Sequence, residues 1–551
     1  MSELEEEPLE EEENEKPKLR KNHWSSLSHS GVSFPERYRS DPRTNRLTIQ
    51  GESLIITPTQ EEMAVAWSKK IGTPYVEDSD FQTNFLSDFL KLFPEKFKGA
   101  KISDIVFPTL PKKIELTKEQ RKALAAERKK KRLELKEKFG FATVDGVKTE
   151  IANWVVEPPG LFMGRGQHPM RGRWKPGIQE EDITLNLDKT AAIPVGKWKI
   201  INAPDCMWIA CWTDKLSEKV KYVWLHDSSS IRQARDKSKY DKARVLEKGI
   251  DRVRSFISKS MSSKDPKIRR ISTACYLIDK LAMRVGDEKD EDEADTVGAS
   301  TLRVEHLKFR ENAVDFDFFG KDYVRWQKTL EIDPKDRAVI ENLKQFCKDK
   351  KPDDLIFDGI TSRHVNEFLS SAAPSLTAKV FRTYHATTAV KSYLKKHNTF
   401  EKDTPDFDKL YEAKLANLEA AIKCNHKRTP PKTFEQSLQK KEERLKELEQ
   451  MQGKTDKQKA RLVERVAKMK KQVELTKITK DYNLNTSLRN YIDPRVFKTW
   501  ANRVGLDWKL LYTSTLQRKM MWVDGREVVG SKDDPDESVG EAVAITVKAD
   551  S

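Results

Sequence analysis

A single tyrosine, Tyr491, stands in a polar and basic segment at residues 487–495, near the C-terminal end of the chain. A phenol has a pKa of about 10 and is a poor nucleophile near neutral pH. It can attack a phosphodiester only where fixed positive groups stabilise the charge that builds on the phosphate oxygens. Side chains that could supply such groups lie upstream, at Arg284, Lys321, Arg382 and His426. These residue types favour transfer of a phosphoryl group to the tyrosine.

The upstream residues belong to segments that follow one another in order along the chain, preceded by a stretch containing three glycines. Together with the segment around Tyr491, they resemble the eukaryotic type IB DNA topoisomerases over roughly residues 22–520. The matching stretches are 157–166, 280–286 with 294–298 and 302–306, 319–322, 377–384, and 424–428 with 430–434. Each stretch is a modest signal alone, and their common order makes the resemblance specific.

The resemblance implies a role for each candidate catalytic residue. Tyr491 would attack the DNA backbone, form a 3′-phosphotyrosine and expel a 5′ hydroxyl. Arg284 and Arg382 would hold the non-bridging oxygens through their planar guanidinium forks. His426 would donate a further hydrogen bond, and Lys321 would protonate the leaving oxygen as general acid. Strand rotation followed by religation would then relax supercoils of both signs.

The resemblance also implies contacts with DNA and with inhibitors. Arg165, Lys379, Asn490 and Asp322 match DNA-binding positions of the family. Three of them, Arg165, Asp322 and Asn490, match positions where camptothecin-type poisons contact the enzyme. We therefore expect susceptibility to such poisons.

No cofactor is expected. The covalent ester would retain the energy of the broken bond, so resealing needs no ATP, and the sequence contains no GxxxxGK[ST] phosphate loop. The acidic residues at 288–295 could suggest a magnesium site. They stand beside a phosphate-binding arginine, however, and we interpret them as a solvated acidic turn. Magnesium is expected to be stimulatory at most.

The elements that must position these residues can be predicted from their patterns. Ile271, Cys275, Ile278 and Leu281 share one face of a helix, which we expect to end around Arg284 with Gly286 as its stop. Residues 314–319 alternate as a strand does and would deliver Lys321 from a turn at Gly320.

Two further helical segments are rich in charge. Residues 117–138 predict a strongly basic helix, which is either an exposed charged helix or a DNA contact. Residues 434–476 predict an antiparallel helical hairpin with a narrow apolar seam, broken at Gly453. Taken without the flanking motifs, the hairpin could also be a coiled coil for self-association.

The predicted fold is an α+β multidomain clamp, since 551 residues exceed what one core holds. It comprises a mixed α/β cap lobe, a mostly helical catalytic core of the tyrosine recombinase/topoisomerase IB type, a helical hairpin linker and a small helical C-terminal domain. The predicted boundaries are a disordered tail at 1–22, the DNA-binding cap at 23–225, the core at 226–433, the linker at 434–480, the C-terminal domain with the tyrosine at 481–525, and an acidic tail at 526–551.

Composition agrees with a nucleic-acid partner. Lys and Arg number 103 against 88 acidic residues, giving a net charge of +15. Neutralised phosphates release counterions, which supplies sequence-independent affinity for double-stranded DNA. Five cysteines without a CxxC pair favour reduced thiols and no zinc site. No apolar run approaches the ~18 residues of a membrane span. We expect a soluble monomer located in the nucleus, with 16–21 as a weak import-signal candidate.

Two other functions remain open from the sequence. A tyrosine recombinase or integrase shares the Arg, Lys, Arg, His, Tyr set, but usually keeps the last two close together, whereas 64 positions separate His426 from Tyr491 here. A non-enzymatic nucleic-acid-binding scaffold would explain the charge and none of the motifs.

Overall fold

The computed structural model describes residues 22–110, 117–164, 166–286, 296–397, 399–431 and 433–525. Its α-helices are α1 (Pro58–Ser68), α2 (Ser79–Phe89), α3 (Lys118–Phe139), α4 (Ser230–Ser260), α5 (Pro266–Leu281), α6 (Ala338–Cys347), α7 (Ser362–Ala372), α8 (Ala378–Lys396), α9 (Asp406–Lys423), α10 (Phe434–Gln450), α11 (Asp456–Ile478), α12 (Leu484–Asn490), α13 (Pro494–Val504) and α14 (Ser514–Lys519).

The strands are short except for one long hairpin. They are β1 (Leu27–His29), β2 (Arg46–Ile49), β3 (Glu52–Ile55), β4 (Ile105–Val106), β5 (Phe141–Val144), β6 (Val147–Glu150), β7 (Gly160–Leu161), β8 (Trp174–Lys175), β9 (Ile183–Asn186), β10 (Lys199–Ile201), β11 (Trp208–Thr213), β12 (Val220–Trp224), β13 (Leu307–Phe309), β14 (Ala313–Gly320) and β15 (Val324–Glu331).

The chain divides into two compact units. In the described residues, the first unit comprises 22–36, 117–158 and 177–231. It holds a sheet of order β1-β5-β6 and a sheet of order β10-β9-β11-β12, in which only the β10–β9 pair is parallel. Their inward side chains share one apolar core that includes Leu27, Ile183, Ile209 and Trp212.

Helix α3 of this unit confirms the basic helix predicted at 117–138. Thr117 caps its N-terminus in a capping box with Gln120, and Lys136 and Lys138 lie in its last turn, where cations suit the helix dipole. None of its residues is buried, although Leu135 and Phe139 pack partly against the core. Most of this helix is therefore charged surface.

The second unit comprises the rest of the described chain and contains every catalytic candidate. One apolar cluster contains residues of four helices, α4, α5, α6 and α7, of the strands β14 and β15, and of the first half of α8. A second cluster joins the other half of α8 with α9 and α13. Helix α8 therefore crosses from one core into the other, and Arg382 lies near that border, where a buried polar group can be held from both sides.

The hairpin of β14 and β15 confirms the predicted strand at 314–319. Val314, Phe316 and Phe318 face the core while alternate residues point outward, and β14 pairs with β15 along its whole length. A short helical turn at Lys321–Tyr323 connects the strands. The alternation thus fixes the hairpin, and Lys321 stands at its tip.

The predicted end of α5 was wrong. The helix ends at Leu281, not around Arg284, and its C-cap is Ala282 with a left-handed φ of 52°. Such a conformation costs a non-glycine residue roughly 1–2 kcal/mol. Gly286 serves another purpose, since a Cβ on Gly298 would lie 2.4 Å from the backbone nitrogen of Gly286. The two glycines let two chain segments approach closely, and Ala282 ends the helix.

Helices α10 and α11 occupy the region predicted to form a hairpin. Ion pairs join Glu449 to Lys470 and Glu442 to Lys477, so the residue numbers run in opposite directions and the helices are antiparallel. Each of the two helices has a single buried residue, Leu448 in α10 and Val473 in α11. The apolar seam is as narrow as the sequence indicates.

The mixed α/β architecture agrees with the predicted fold class. The predicted domain boundaries and the clamp arrangement stay predictions. Within the described ranges, we find no helix both long and apolar enough for a membrane crossing.

Candidate active site

The segment after α5 carries Arg284. Ala282 is fully buried, and the left-handed turn there lets its carbonyl accept a hydrogen bond from Nη1 of Arg382. Beyond it, the carbonyls of Arg284 and Val285 accept backbone hydrogen bonds from Ala299 and Ser300. Arg284 is half-buried, and burial together with the charge of Arg382 lowers its pKa. The strained turn thus places one arginine and helps to anchor the other.

Arg382 is the most firmly held cation of the site. It is 3% exposed, and its Nη2 donates to the carbonyl of Cys424 at 2.9 Å and to Nε2 of His426 at 3.2 Å. Its guanidinium carbon lies 5.0 Å from the centre of the Tyr491 ring. Its Nε has no hydrogen-bond partner among the described residues. The guanidinium is therefore fixed before any substrate binds.

His426 follows α9 after Asn425, whose φ of 52° is again left-handed. Its backbone is tied on both sides, because its N–H donates to Ala421 and its carbonyl accepts from Asn483. Nδ1 of the ring lies 2.6 Å from Oγ of Ser487. Burial, reinforced by the charges of Arg382, Arg284 and Lys328, lowers the pKa of His426 to about 3. The imidazole is consequently neutral at physiological pH, and both of its nitrogens are engaged.

Tyr491 is the C-cap of α12, and its N–H donates to the carbonyl of Ser487 at 2.9 Å. The hydroxyl of Thr387 donates to the Tyr491 carbonyl at 3.2 Å. Its ring stacks on that of His426 with centres 4.9 Å apart. Burial alone would raise the pKa of the phenol, but the charges of Arg382 and Arg284 and a hydrogen bond with Arg382 outweigh it and lower the pKa below 10.0. The site therefore stabilises the phenolate relative to that of an ordinary tyrosine.

Lys321 is not part of this cluster. It is exposed at the tip of the β14–β15 hairpin, and within the described chain it makes no hydrogen bond or ion pair. The glycine-containing loop, which is the end of the stretch 157–166, approaches the same tip. A Cβ on Gly166 would lie 2.2 Å from the ring of Tyr323. Contacts therefore join Arg284, Arg382, His426 and Tyr491, whereas Lys321 is exposed at the hairpin tip and has no contact with them among the described residues.

The remaining predicted contacts are only partly described. Lys379 is exposed in the first turn of α8, and Asn490 is exposed at the end of α12, next to Tyr491. Arg165 lies outside the described residues, as does the side chain of Asp322. The acidic residues at 288–295 and the basic stretch at 16–21 also lie outside them. Among the residues that are described, no three His, Cys, Asp or Glu side chains gather as a metal site.

Sequence reasoning missed two groups that contact the site. Ser487 bonds to His426, and Lys328 on β15 donates to the carbonyls of Leu281 and Lys423 at the ends of α5 and α9. Burial and nearby cations, Lys423 first, lower the pKa of Lys328 to about 8. The observation that points to Lys328 is its place in the β14–β15 pairing, where it stands opposite the buried Phe316. Nothing local distinguishes Ser487, whose position one turn before Tyr491 was the only clue.

Comparison with known proteins covers all of these residues. Residues 22–225 match the family model "Eukaryotic DNA topoisomerase I, DNA binding fragment", residues 228–460 match "Eukaryotic DNA topoisomerase I, catalytic core", and residues 463–527 match "C-terminal topoisomerase domain". The second match contains Arg284, Lys321, Arg382 and His426, and the third contains Tyr491.

Curated relatives agree along the chain. DNA topoisomerase 1 of Drosophila melanogaster is 35% identical over 91% of this chain and 54% of its own length. DNA topoisomerase 1 alpha of Arabidopsis thaliana is 35% identical over 91% of this chain and 58% of its own. DNA topoisomerase 1 of Homo sapiens is 34% identical over 91% of this chain and 70% of its own length. The chain thus spans little more than half the length of the first two relatives. It belongs to the eukaryotic DNA topoisomerase I family.

Proposed function

We propose that the chain is an ATP-independent type IB DNA topoisomerase that relaxes positive and negative supercoils. The observation that carries this proposal is the contact between Tyr491 and a buried, pre-anchored Arg382. A phenol beside fixed cations has a lowered pKa, and the contact between Arg382 and Tyr491 supports a role for that cation in binding the oxygens of a phosphate that the phenol would attack.

The reaction would proceed by transesterification. Tyr491 Oη forms a bond to phosphorus and loses its proton, while the bond from phosphorus to the 5′ oxygen breaks, leaving a 3′-phosphotyrosine. Arg284 and Arg382 neutralise the non-bridging oxygens. Losing one such donor typically costs about 10²–10³ in rate. The broken strand rotates, and the 5′ hydroxyl then attacks the phosphotyrosine to reseal the backbone.

Lys321 would supply the proton that the leaving oxygen takes up. Its exposed position at a hairpin tip, beside the glycine-containing loop, suits a residue that meets the DNA backbone only when a duplex is bound. His426 would act first by holding Arg382. Donation from Nε2 to the phosphate would require that contact to open and the ring to change tautomer, because the contact with Arg382 leaves Nε2 without a proton.

The partner would be double-stranded DNA, bound by a monomer in the nucleus. Exposed Lys379 and Asn490, together with Arg165 and Asp322, would contact DNA, and Arg165, Asp322 and Asn490 would contact camptothecin-type poisons. The net charge of +15 supports a polyanionic partner. Protein cations would do the work of a metal, so that magnesium only stimulates turnover.

A plasmid relaxation assay tests this proposal. The chain should remove supercoils of both signs in EDTA and without nucleotide, and the Tyr491→Phe variant should remove none. A recombinase would instead require a specific site and yield recombinants, and a scaffold protein would leave the plasmid supercoiled. Residual covalent adduct in the Tyr491→Phe variant, or a strict metal requirement for cleavage, would contradict the assignment.

A further inference from the structure

Ser487 is a fully buried residue that contacts the site through its side chain. Its Oγ lies 2.6 Å from Nδ1 of His426, while Nε2 of the same ring accepts from Arg382. An arginine N–H can only donate, so Nε2 must be the unprotonated nitrogen. Because the ring is neutral, Nδ1 carries the proton and donates it to Ser487. The serine hydroxyl therefore accepts a hydrogen bond from Nδ1–H, and this favours the tautomer in which Nε2 is free to accept from Arg382.

The backbone of Ser487 holds the tyrosine at the same time. Its carbonyl accepts hydrogen bonds from the N–H groups of Tyr491 at 2.9 Å and Ile492 at 3.0 Å. The histidine and the tyrosine are supplied by segments 65 residues apart in number, yet one residue bonds to both. Ser487 thereby holds the stacked rings of His426 and Tyr491 at a fixed distance from each other.

We propose that Ser487 is a positioning residue for DNA strand cleavage, which acts by fixing the orientation and tautomer of His426. This inference rests on the proposed function. Without the hydroxyl, the buried Nδ1–H would be unpaired, and the ring would turn to find another partner. Arg382 would then lose one of its anchors, and Tyr491 would lose the face on which it stacks. The effect would reach the chemical step without touching the surface that binds DNA.

The test uses the full chain and a duplex whose cleaved strand dissociates, so that one cleavage event is measured. The variant Ser487→Ala should cleave about 10–100-fold more slowly, since a buried donor left unpaired has a cost of that size. Its DNA affinity should stay within about twofold, because no DNA-facing cation changes. Ser272→Ala is the matched control: it removes a fully buried hydroxyl that bonds only within α5, and it should cleave at the wild-type rate.

A double-mutant cycle separates positioning from stability. In a His426→Ala background, Ser487→Ala should cause no further loss of cleavage rate. Equal losses in the two backgrounds, or a wild-type rate for Ser487→Ala, would overturn the inference. If Ser487→Ala fails to fold, Ser487→Cys replaces it, because a thiol keeps a weak acceptor and should give an intermediate rate that also vanishes in the His426→Ala background. A wild-type chain that binds DNA without forming an adduct would overturn the proposed function as well.

Discussion

The charge state of each residue in the site depends on how the effect of neighbouring charges on its pKa compares with the effect of burial. Burial disfavours a phenolate, an imidazolium and an ammonium alike. For Tyr491, two arginines reverse that effect, whereas for His426 the same arginines add to it. Opposite shifts on two stacked rings follow from one cause: positive charge favours a group that becomes negative and disfavours one that becomes positive. The nucleophile and the neutral histidine are therefore specified together.

Lys321 offers a test of its proposed role as general acid. We expect Lys321→Ala to slow cleavage of an ordinary duplex by about 10² or more, because an alkoxide leaves poorly without a proton. Replacing the scissile 5′ bridging oxygen with sulfur should largely restore the rate, since a thiolate needs none. Lys379→Ala, which changes another exposed lysine, is the control. It should weaken DNA binding, and sulfur substitution should not restore its cleavage rate more than it raises that of wild type. Equal Lys321→Ala defects on both substrates would mean that the lysine only positions phosphate.

His426 should make the fold sensitive to acid. Its pKa is about 3 in the folded chain and near 6.5 when unfolded, so between these values only the unfolded chain takes up the proton. The free energy of unfolding should therefore fall as pH drops from 6.5 towards 3, by at most about 1.4 kcal/mol per pH unit from this group.

Denaturant unfolding of wild type and His426→Gln between pH 7 and pH 5 measures that contribution. The variant should show a shallower loss of stability over this range. His29→Gln is the comparison, because burial also lowers the pKa of His29, to about 4, and His29 is not one of the proposed catalytic residues. Parallel pH curves for wild type and His426→Gln would show that His426 titrates normally.

At the scale of elements, two helix ends meet at the site. Helices α5 and α9 each finish in a turn containing a left-handed residue, and their last carbonyls accept hydrogen bonds from Arg382 and Lys328. Cations are favoured at helix C-termini by the helix dipole and by the unpaired carbonyls. The helix ends thus hold Arg382 and Lys328 through carbonyls, and in the part of the chain that the structure describes neither cation pairs with a carboxylate, which would neutralise the field that the phosphate needs.

The α10–α11 hairpin should act on strand rotation and leave cleavage alone. Its exposed lysines would interact with the rotating duplex through screened charges, whose reach is about 10 Å at 0.1 M salt. Shortening the hairpin symmetrically about Gly453, with the helical register kept, leaves the Glu442–Lys477 and Glu449–Lys470 ion pairs in place. The cleavage rate should not change, while the number of supercoils removed per cleavage event, measured on single molecules, should.

A full-length variant separates charge from length in this experiment. Replacing the exposed Lys457, Arg465 and Lys468 with glutamine keeps the hairpin and removes three cations. It should shift the supercoils removed per event in the same direction as the deletion and reduce the salt dependence of binding. Loss of cleavage in a folded deletion variant would instead make the hairpin part of the scaffold that places Tyr491.

At the scale of the whole molecule, the net charge of +15 predicts an electrostatic contribution to DNA affinity. The logarithm of the association constant should fall linearly with that of salt concentration, with a slope of about −0.9 per neutralised phosphate. Tyr491→Phe should keep this slope and bind within about threefold of wild type, because a hydroxyl adds little to an electrostatic contact. The net charge of +15 alone does not say which basic surface provides the contacts.

Helix α3 tests that question. Lys122, Lys129 and Lys130 are exposed on a helix without buried residues, which is typical of a solvated charged surface. Changing all three to glutamine should therefore leave the salt slope of DNA binding unaltered in a titration by fluorescence anisotropy. A slope reduced by about 0.9 per lysine would identify α3 as a DNA contact instead.

The sequence by itself determined the family, the candidate residues, and the elements with strong local patterns, including α3, the strand β14 and the helices predicted at 434–476. Periodicity and capping report which face of a segment is buried, and they do so without knowledge of the partner. They misplaced the end of α5, because the left-handed turn at Ala282 is set by burial and by Arg382, a residue 100 positions away.

Tertiary structure alone decided the state of the site. The neutral His426, the lowered pKa of Tyr491 and the contact with Ser487 all depend on distances between segments that are remote in sequence. Electrostatic and hydrogen-bond energies vary with those distances and with burial, neither of which a local pattern encodes. Residue types therefore identified the chemistry, and packing set the charges with which it would operate.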